Sequence, residues 1–249
     1  MSLHLIELPL SLQALHRWAG TRALATPFDE GLALHHLLGE AFGPAALQPF
    51  RLMVAPRAQT GTLYAYAGAT AEDLRRQALS VLTPAQAEVI DLERLRSLPR
   101  PAEGWTEGQR LGFDLRLRPV VRLASTLAGT GKNGEDISFR KGAEIDAFLA
   151  AALRGETASR EDVYLGWLAE RLAPAAMLDL TATRLASFRR TRIQRNGKRL
   201  EGPDALVHGT LTITDPTAFA ELLGHGIGRH RSYGYGMLLL RPPQRGQSC

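Results

Sequence analysis

Gly224-His225-Gly226-Ile227-Gly228-Arg229-His230-Arg231-Ser232-Tyr233-Gly234-Tyr235-Gly236 runs straight into an apolar strand, Met237 to Leu240. A helix leads into it: Thr214-Asp215-Pro216 places proline just inside an N-terminus, and Phe219, Leu222 and Leu223 follow. The order is helix, glycine-rich loop, strand. A dinucleotide fingerprint or a P-loop needs the reverse, a strand before its glycines and a helix after them. Five glycines in thirteen residues let other groups approach the backbone closely, and Arg229, His230 and Arg231 add positive charge. Such a stretch reads as a phosphate-binding surface whose phosphate is not that of a mononucleotide.

Reading outward, the same helix–strand ending closes a repeated order of elements. Leu3 to Leu10 alternates as a first strand. Asp29 caps a helix on which Leu34, Leu37, Leu38 and Phe42 fall at helical spacing, and Gly43-Pro44 stops it. Phe50 to Pro56 and Thr62 to Ala67 read as strands around a turn at Gly61. Thr70 caps a helix to about Leu79, and Val89 to Leu95 reads as a fourth strand. Ser97 to Gly108, with Pro99, Pro101 and Gly104, reads as a linker. Beyond it, Gln109 to Val121 is a half-buried strand with a basic outer face, and Gly129 to Gly134 is a loop. Helices follow over Ala143 to Leu153 and Arg160 to Leu172. Strands over Leu178 to Ile193 and Leu206 to Ile213 are joined at Asn196-Gly197. The fold class is therefore α+β: two tandem ferredoxin-like (βαββαβ, RRM-like) domains, residues 1–98 and 108–243, with a helical insertion in the second.

Composition narrows the function. The 249 residues carry 30 Lys and Arg against 25 Asp and Glu, a net charge of +5, and only three of the cations are lysine. The first 104 residues hold nine arginines and ten acids, so the positive excess lies in the second half. Arginine's planar fork suits phosphates and bases, although a GC-rich genome also favours it. Clustering is the better guide. Arg184, Arg189, Arg190, Arg192, Arg195, Lys198 and Arg199 fall in sixteen residues without one acid, and a hairpin there would project them as a basic finger. The lone cysteine, Cys249, excludes an internal disulfide and a cysteine zinc site. The seven histidines show no metal-ligand spacing. No apolar run is long enough to span a bilayer and no signal peptide is evident, so a cytoplasmic protein is expected, with no cofactor, metal or membrane partner. Residues Gln244 to Cys249 read as a disordered end.

Two glycine motifs fail on inspection. In Gly129-Thr130-Gly131-Lys132-Asn133-Gly134 the first P-loop glycine would be Thr126, and Asn133 replaces the Mg²⁺-binding hydroxyl. Gly226-x-Gly228 continues to Arg231 where a dinucleotide loop needs glycine. Histidine is the residue for proton transfer near neutral pH. His35 and His36 lie on the first predicted helix, and spacing leaves the choice between them open. His230 stands inside the cationic loop, whereas nothing singles out His4, His16, His208 or His225.

Four collinear segments carry a family resemblance. Gly226 to Leu238 resembles the C-terminal glycine-rich loop of CRISPR RNA-processing endoribonucleases, in particular the CasE group of type I-E systems. Leu34-His35-His36-Leu37-Leu38 with Phe42 resembles that group's first-helix motif. Leu115-Arg116-x-x-Pro119-x-x-Arg122, followed by Gly131-Lys132, resembles the opening strand of its second domain. Gly209-x-Leu211-x-Ile213-x-Asp215-Pro216 resembles its strand–helix junction. Processing enzymes of type IV systems share this architecture. The resemblance implies binding of a CRISPR RNA repeat stem-loop, metal-independent cleavage at its 3′ base by the RNA's own 2′-hydroxyl, and association with other subunits of a CRISPR effector complex. The alternative within the superfamily is a non-catalytic RNA-binding subunit. By motif position His35 is the general acid/base and Arg231 the cation near the scissile phosphate, with His230 as a further catalytic candidate. Arg116, Arg122, Arg184, Arg189, Arg190, Arg192, Arg195, Lys198, Arg199, Gly226, Gly228 and Arg229 are the expected RNA contacts. Leu32 stands where the group often has tyrosine, and His36 where it usually has arginine.

Overall fold

The computed structural model describes residues 2–22, 28–131, 134–195 and 198–242. The first half runs β1 (His4–Ser11), α1 (Leu12–Thr21), α2 (Glu30–Phe42), β2 (Phe50–Met53), β3 (Thr60–Ala67), α3 (Ala71–Leu79), the short α4 (Pro84–Ala87) and β4 (Arg96–Pro99). Its four strands pair antiparallel in the order β2-β3-β1-β4, the ferredoxin-like order. The helices that cover one face bury Leu34, Leu37, Leu38 and Phe42 of α2 and Leu74 of α3 against Ile6, Leu8 and Leu10 of β1. Both expected caps form: Asp29 accepts from the Leu32 amide, and Thr70 closes a capping box with Asp73.

Three details differ from the sequence expectation. Helix α1 is an addition to it; Ser11 caps this helix, and Ala14, Leu15, Trp18 and Ala19 form its buried stripe. Gly61 lies inside β3 opposite Leu10 rather than in a turn, and a side chain there would press on Leu52 and the Met53 carbonyl. The fourth strand is Arg96–Pro99, not Val89 to Leu95. Val89, Ile90 and Leu95 are buried, but they enter the core from the turns after α4, and only Ile90 bridges to β1. The prolines read as linker punctuation sit on and beside this edge strand, where a missing amide costs no ladder bond.

The second half repeats the scheme. Strand β5 (Arg110–Leu117) is followed by an enlarged crossover: β6 (Val120–Arg122), β7 (Leu127–Thr130), β8 (Asp136–Phe139), β9 (Glu144–Asp146), α5 (Ala147–Leu153) and α6 (Arg160–Leu172). Then come β10 (Ala176–Leu178), β11 (Arg184–Arg195), β12 (Lys198–Ile213), α7 (Pro216–His225) and β13 (Leu238–Arg241). Strand β12 lies between β5 and both β10 and β11, and β13 flanks β5 on the other side. Gly129 and Thr130 of the expected loop belong to β7, since β7 and β8 pair from Leu127–Phe139 to Thr130–Asp136. Lys132, Asn133, the turn at Asn196-Gly197 and the C-terminal residues from 243 lie outside the described residues.

The halves are packed together. Leu5 and Tyr66 of the first sheet belong to the second half's core, and buried Tyr66 donates from Oη to the Leu238 carbonyl at 3.1 Å. Burial raises the phenol's pKa, so it stays a donor. Arg51 of β2 reaches Asp114 of β5 at 3.4 Å. No helix among the described residues is long and apolar enough to cross a membrane.

Candidate functional site

The site forms where α2 meets the glycine-rich loop. Gly31, in the first turn of α2, is the contact point: a Cβ there would lie 2.6 Å from the Tyr233 carbonyl oxygen. Only glycine lets the 3₁₀ turn Arg231–Tyr233 rest on the helix this closely. One helical turn later His35 projects from the same side, and its ring centroid lies 5.2 Å from that of Tyr233 with the planes tilted by 38°. The His36 ring is 5.4 Å away edge-on and exposed. The structure therefore separates the two histidines: His35 faces the loop and His36 faces solvent. Burial, and secondly the charge of His36, hold the His35 imidazolium below the ordinary histidine range. His35 is thus neutral at pH 7, and its Nδ1 is buried without a hydrogen-bond partner.

The loop's glycines have a packing role. Gly226, Gly228, Gly234 and Gly236 all have positive φ, between 71° and 82°. A Cβ at Gly226 would meet Pro49, one at Gly228 the Trp167 ring, and one at Gly236 the Ile227 carbonyl. A backbone bond from Ile227 N to Gly236 O closes the loop on itself and one from Gly236 N to Arg116 O ties it to β5, both 2.8 Å. Gly226 and Gly228 therefore let protein pack closely against the loop, while both remain partly exposed.

His230 is placed as an anchor. Its side chain is fully buried, with Nε2 2.6 Å from Glu144 Oε1, and Arg229 Nη1 donates to the other oxygen at 3.0 Å. The hydrogen bond to His230 leads the causes that hold the Glu144 carboxyl below its usual range; burial opposes it, and the charges of His230 and Arg229 reinforce it. A ring with no accessible face does not reach a substrate, which corrects the expectation that His230 acts in catalysis. Arg122, exposed on β6, stands opposite Glu144 in the β6–β9 register. Arg231 is exposed at the head of the 3₁₀ turn, where it donates to the His225 carbonyl.

The basic hairpin is less bare than its sequence. Its second strand brings acids across the ladder: Arg189 faces Asp204 and Arg192 faces Glu201. Asp204, almost fully buried, accepts Arg116 Nε and Nη2 at 2.8 Å each and Arg189 Nε at 2.8 Å. Burial alone would raise its pKa, but the bonds and charges of Arg116 and Arg189 outweigh it and keep the carboxylate ionised. Arg116 also lies 4.6 Å over the Tyr235 ring, a mostly buried cation that supports the hairpin and lines a cleft with Arg189 and Arg192. Glu201 takes Arg192 at 3.2 Å and Arg190 at 3.5 Å, yet Arg189, Arg190 and Arg192 keep more than half of their side-chain surface exposed. Arg184 is exposed opposite His208. The side chains of Arg195, Lys198 and Arg199 lie outside the described residues.

Tyr233 is a site residue that the sequence reading does not single out. The signal is present, because in Ser232-Tyr233-Gly234-Tyr235-Gly236 the two tyrosines alternate with residues too small to hide them. In the structure they differ: Tyr235 is buried under Arg116, and Tyr233 stays half-exposed beside His35. Tyr233, Arg189 and Arg192 share a cleft of about 420 Å³ between the first-half helices and the hairpin.

A model of the family described as CRISPR associated protein matches residues 3–242. The chain belongs to the CRISPR-associated protein family. CRISPR-associated endoribonuclease Cse3 of Thermus thermophilus is 26% identical over 224 residues, covering 90% of this chain and 94% of that protein. Two solved structures share the fold over nearly their whole length. One is CRISPR endoribonuclease Cse3 bound to a 19-nucleotide RNA, with a TM-score of 0.63, 20% identity, and coverage of 97% of this chain and 100% of that one. The other is the CRISPR-associated protein Cas6e of Escherichia coli K-12, with a TM-score of 0.59, 20% identity, and coverage of 96% and 99%. Both place this member of the CRISPR-associated family in the tandem ferredoxin-like class.

Proposed function

We propose that the protein is a precursor CRISPR RNA endoribonuclease that binds the repeat stem-loop and cuts at its 3′ base. The observation that carries this reading is the neutral, half-buried His35 held against Tyr233 beside a cleft whose far wall carries exposed arginines. Family membership and the likeness to an endoribonuclease along nine-tenths of the chain support it. In the proposed reaction His35 accepts the proton of the ribose 2′-hydroxyl as that oxygen attacks the adjacent phosphorus. The bond to the 5′-oxygen breaks, and that oxygen takes a proton from a water that recovers one from protonated His35. The products are a 2′,3′-cyclic phosphate and a 5′-hydroxyl. General-base assistance of this kind contributes roughly 10²–10⁴-fold. Arg231, two residues before Tyr233 in the same turn, supplies positive charge to the phosphorane, and Arg189, Arg190 and Arg192 of the hairpin hold the RNA backbone.

Incubation of the purified protein with end-labelled repeat RNA in EDTA tests the proposal. A discrete product that gains a 3′-phosphate monoester only after acid opening of the cyclic ester is expected. A shifted but uncut RNA would instead support the non-catalytic RNA-binding subunit. As an RNA-processing member of its family it is expected to work beside other subunits of a CRISPR effector complex.

A further inference from the structure

We propose that the cleft between α1, the start of α2 and the hairpin strand β11 receives one unpaired nucleotide of the bound RNA. Its base packs on His16 and Tyr233 and is read by Glu30, and its phosphate rests on Arg189 and Arg192. The proposal builds on the RNA-binding reading above and adds a specificity pocket to it.

The cavity, about 420 Å³, is the size of a small-molecule site and far too small for a duplex. A single splayed-out base fits, and unpaired RNA bases are held in this way on aromatic and histidine rings. The rings are in place before any ligand arrives. His16 is turned outward from α1, whose other face buries Leu15 and Trp18, and its ring abuts Phe28 at a tilt of 58° with centroids 4.1 Å apart. An exposed imidazole already backed by a phenyl ring is a pre-ordered stacking platform, so little entropy is lost when a base lands on it. Tyr233 lines the same cavity from the glycine loop.

The polar groups divide by charge. Glu30 lies in the first turn of α2 and lines the cavity. A carboxylate only accepts hydrogen bonds, so it selects a base edge that offers N–H donors, such as guanine or cytosine, and it repels phosphate. Its neighbour Asp29 is committed to capping the Leu32 amide. The phosphate is therefore directed to the β11 side. There Arg189 and Arg192 are tied to Asp204 and Glu201 through Nε, and each guanidinium has further N–H donors to give.

The test is a binding measurement on the intact protein, using repeat RNAs in which single bases of the unpaired flank are removed one at a time. Wild-type protein should lose about tenfold in affinity at one flank position, a typical stacking contribution. His16→Ala, a change at an exposed ring, should bind the unmodified RNA about tenfold more weakly and show no further loss at that position. Glu30→Gln should relax discrimination among the four bases there and nowhere else. Base removal that costs the same in wild type and His16→Ala at every flank position would overturn the pocket while leaving RNA binding intact. Failure of the wild-type protein to bind repeat RNA at all would overturn the RNA reading itself, and the pocket with it.

Discussion

Replacing Asp204 with alanine should be among the most damaging single changes in the molecule, although the residue lies within a hairpin that reads as purely basic. Its carboxylate is nearly buried and takes three bonds of 2.8 Å, two from Arg116 and one from Arg189. The two partners do not weigh equally. Arg189 is mostly exposed, so its share falls in the surface range, about 0–1 kcal/mol. Arg116 is mostly buried over the Tyr235 ring, and removing its counter-charge leaves an uncompensated cation in the sheet. Breaking such a pair costs about 3–5 kcal/mol, and the remaining solvent access of Arg116 argues for the lower end, roughly 3. In a chain of this size that corresponds to a Tm drop of about 6–12 °C. Arg189→Ala should cost under about 1 kcal/mol. The pH dependence has a definite sign. The folded-state pKa of Asp204 is depressed, so its contribution is complete above the unfolded aspartate value and is lost as pH falls through the lower folded value. Urea denaturation of both variants and of the Arg116/Asp204 double-mutant cycle, at neutral and acid pH, measures this. A loss below about 1 kcal/mol for Asp204→Ala at pH 7 would refute the argument that the hairpin is built on a buried ion pair.

Further outcomes follow from the same geometry. Gly236→Ala puts a Cβ 2.2 Å from the Ile227 carbonyl at a φ of 79°, so chemical denaturation should show a loss of at least about 2 kcal/mol, the combined cost of strain and overpacking. Removing the His36 charge with His36→Ala takes away one of the two causes that depress His35, so the acid limb of the pH–rate profile should move upward. Movement to lower pH would contradict the coupling. Arg190→Glu with Arg192→Glu should weaken RNA binding and flatten its salt dependence by roughly 0.7–0.9 logarithmic units for each phosphate that is no longer neutralised; an unchanged slope would exclude the hairpin from the RNA backbone.

Much of this arrangement is legible in the sequence because it rests on local signals. Asp29 and Thr70 cap the helices assigned to them, Pro216 sits at the start of α7, and the apolar period of α2 puts the expected residues inside. What escapes depends on pairing between distant segments. The run Arg184 to Arg199 contains no acid, but register, which composition does not encode, sets Asp204 and Glu201 opposite its arginines. The loop glycines announce conformational freedom without saying what approaches them, and the answer is Pro49, Trp167 and the loop's own backbone. His230 is the best-placed histidine in its stretch of sequence, yet Glu144, 86 residues earlier, buries and holds it. The choice between His35 and His36 cannot be made from helical spacing, because it turns on which face Gly31 brings against Tyr233. Strand β4 is misplaced by the sequence pattern because the apolar side chains of Val89, Ile90 and Leu95 fill the core from turns, and an edge strand tolerates the prolines that mark a linker.

The most direct test of the central claim is the single-turnover cleavage rate of His35→Ala on repeat RNA, measured in EDTA beside its affinity for the same RNA. His35→Ala should cut at a rate at least about 100-fold below wild type, the low end of general acid–base catalysis, with affinity changed by less than about threefold. A variant that cuts at the wild-type rate would show that His35 does not carry the proton.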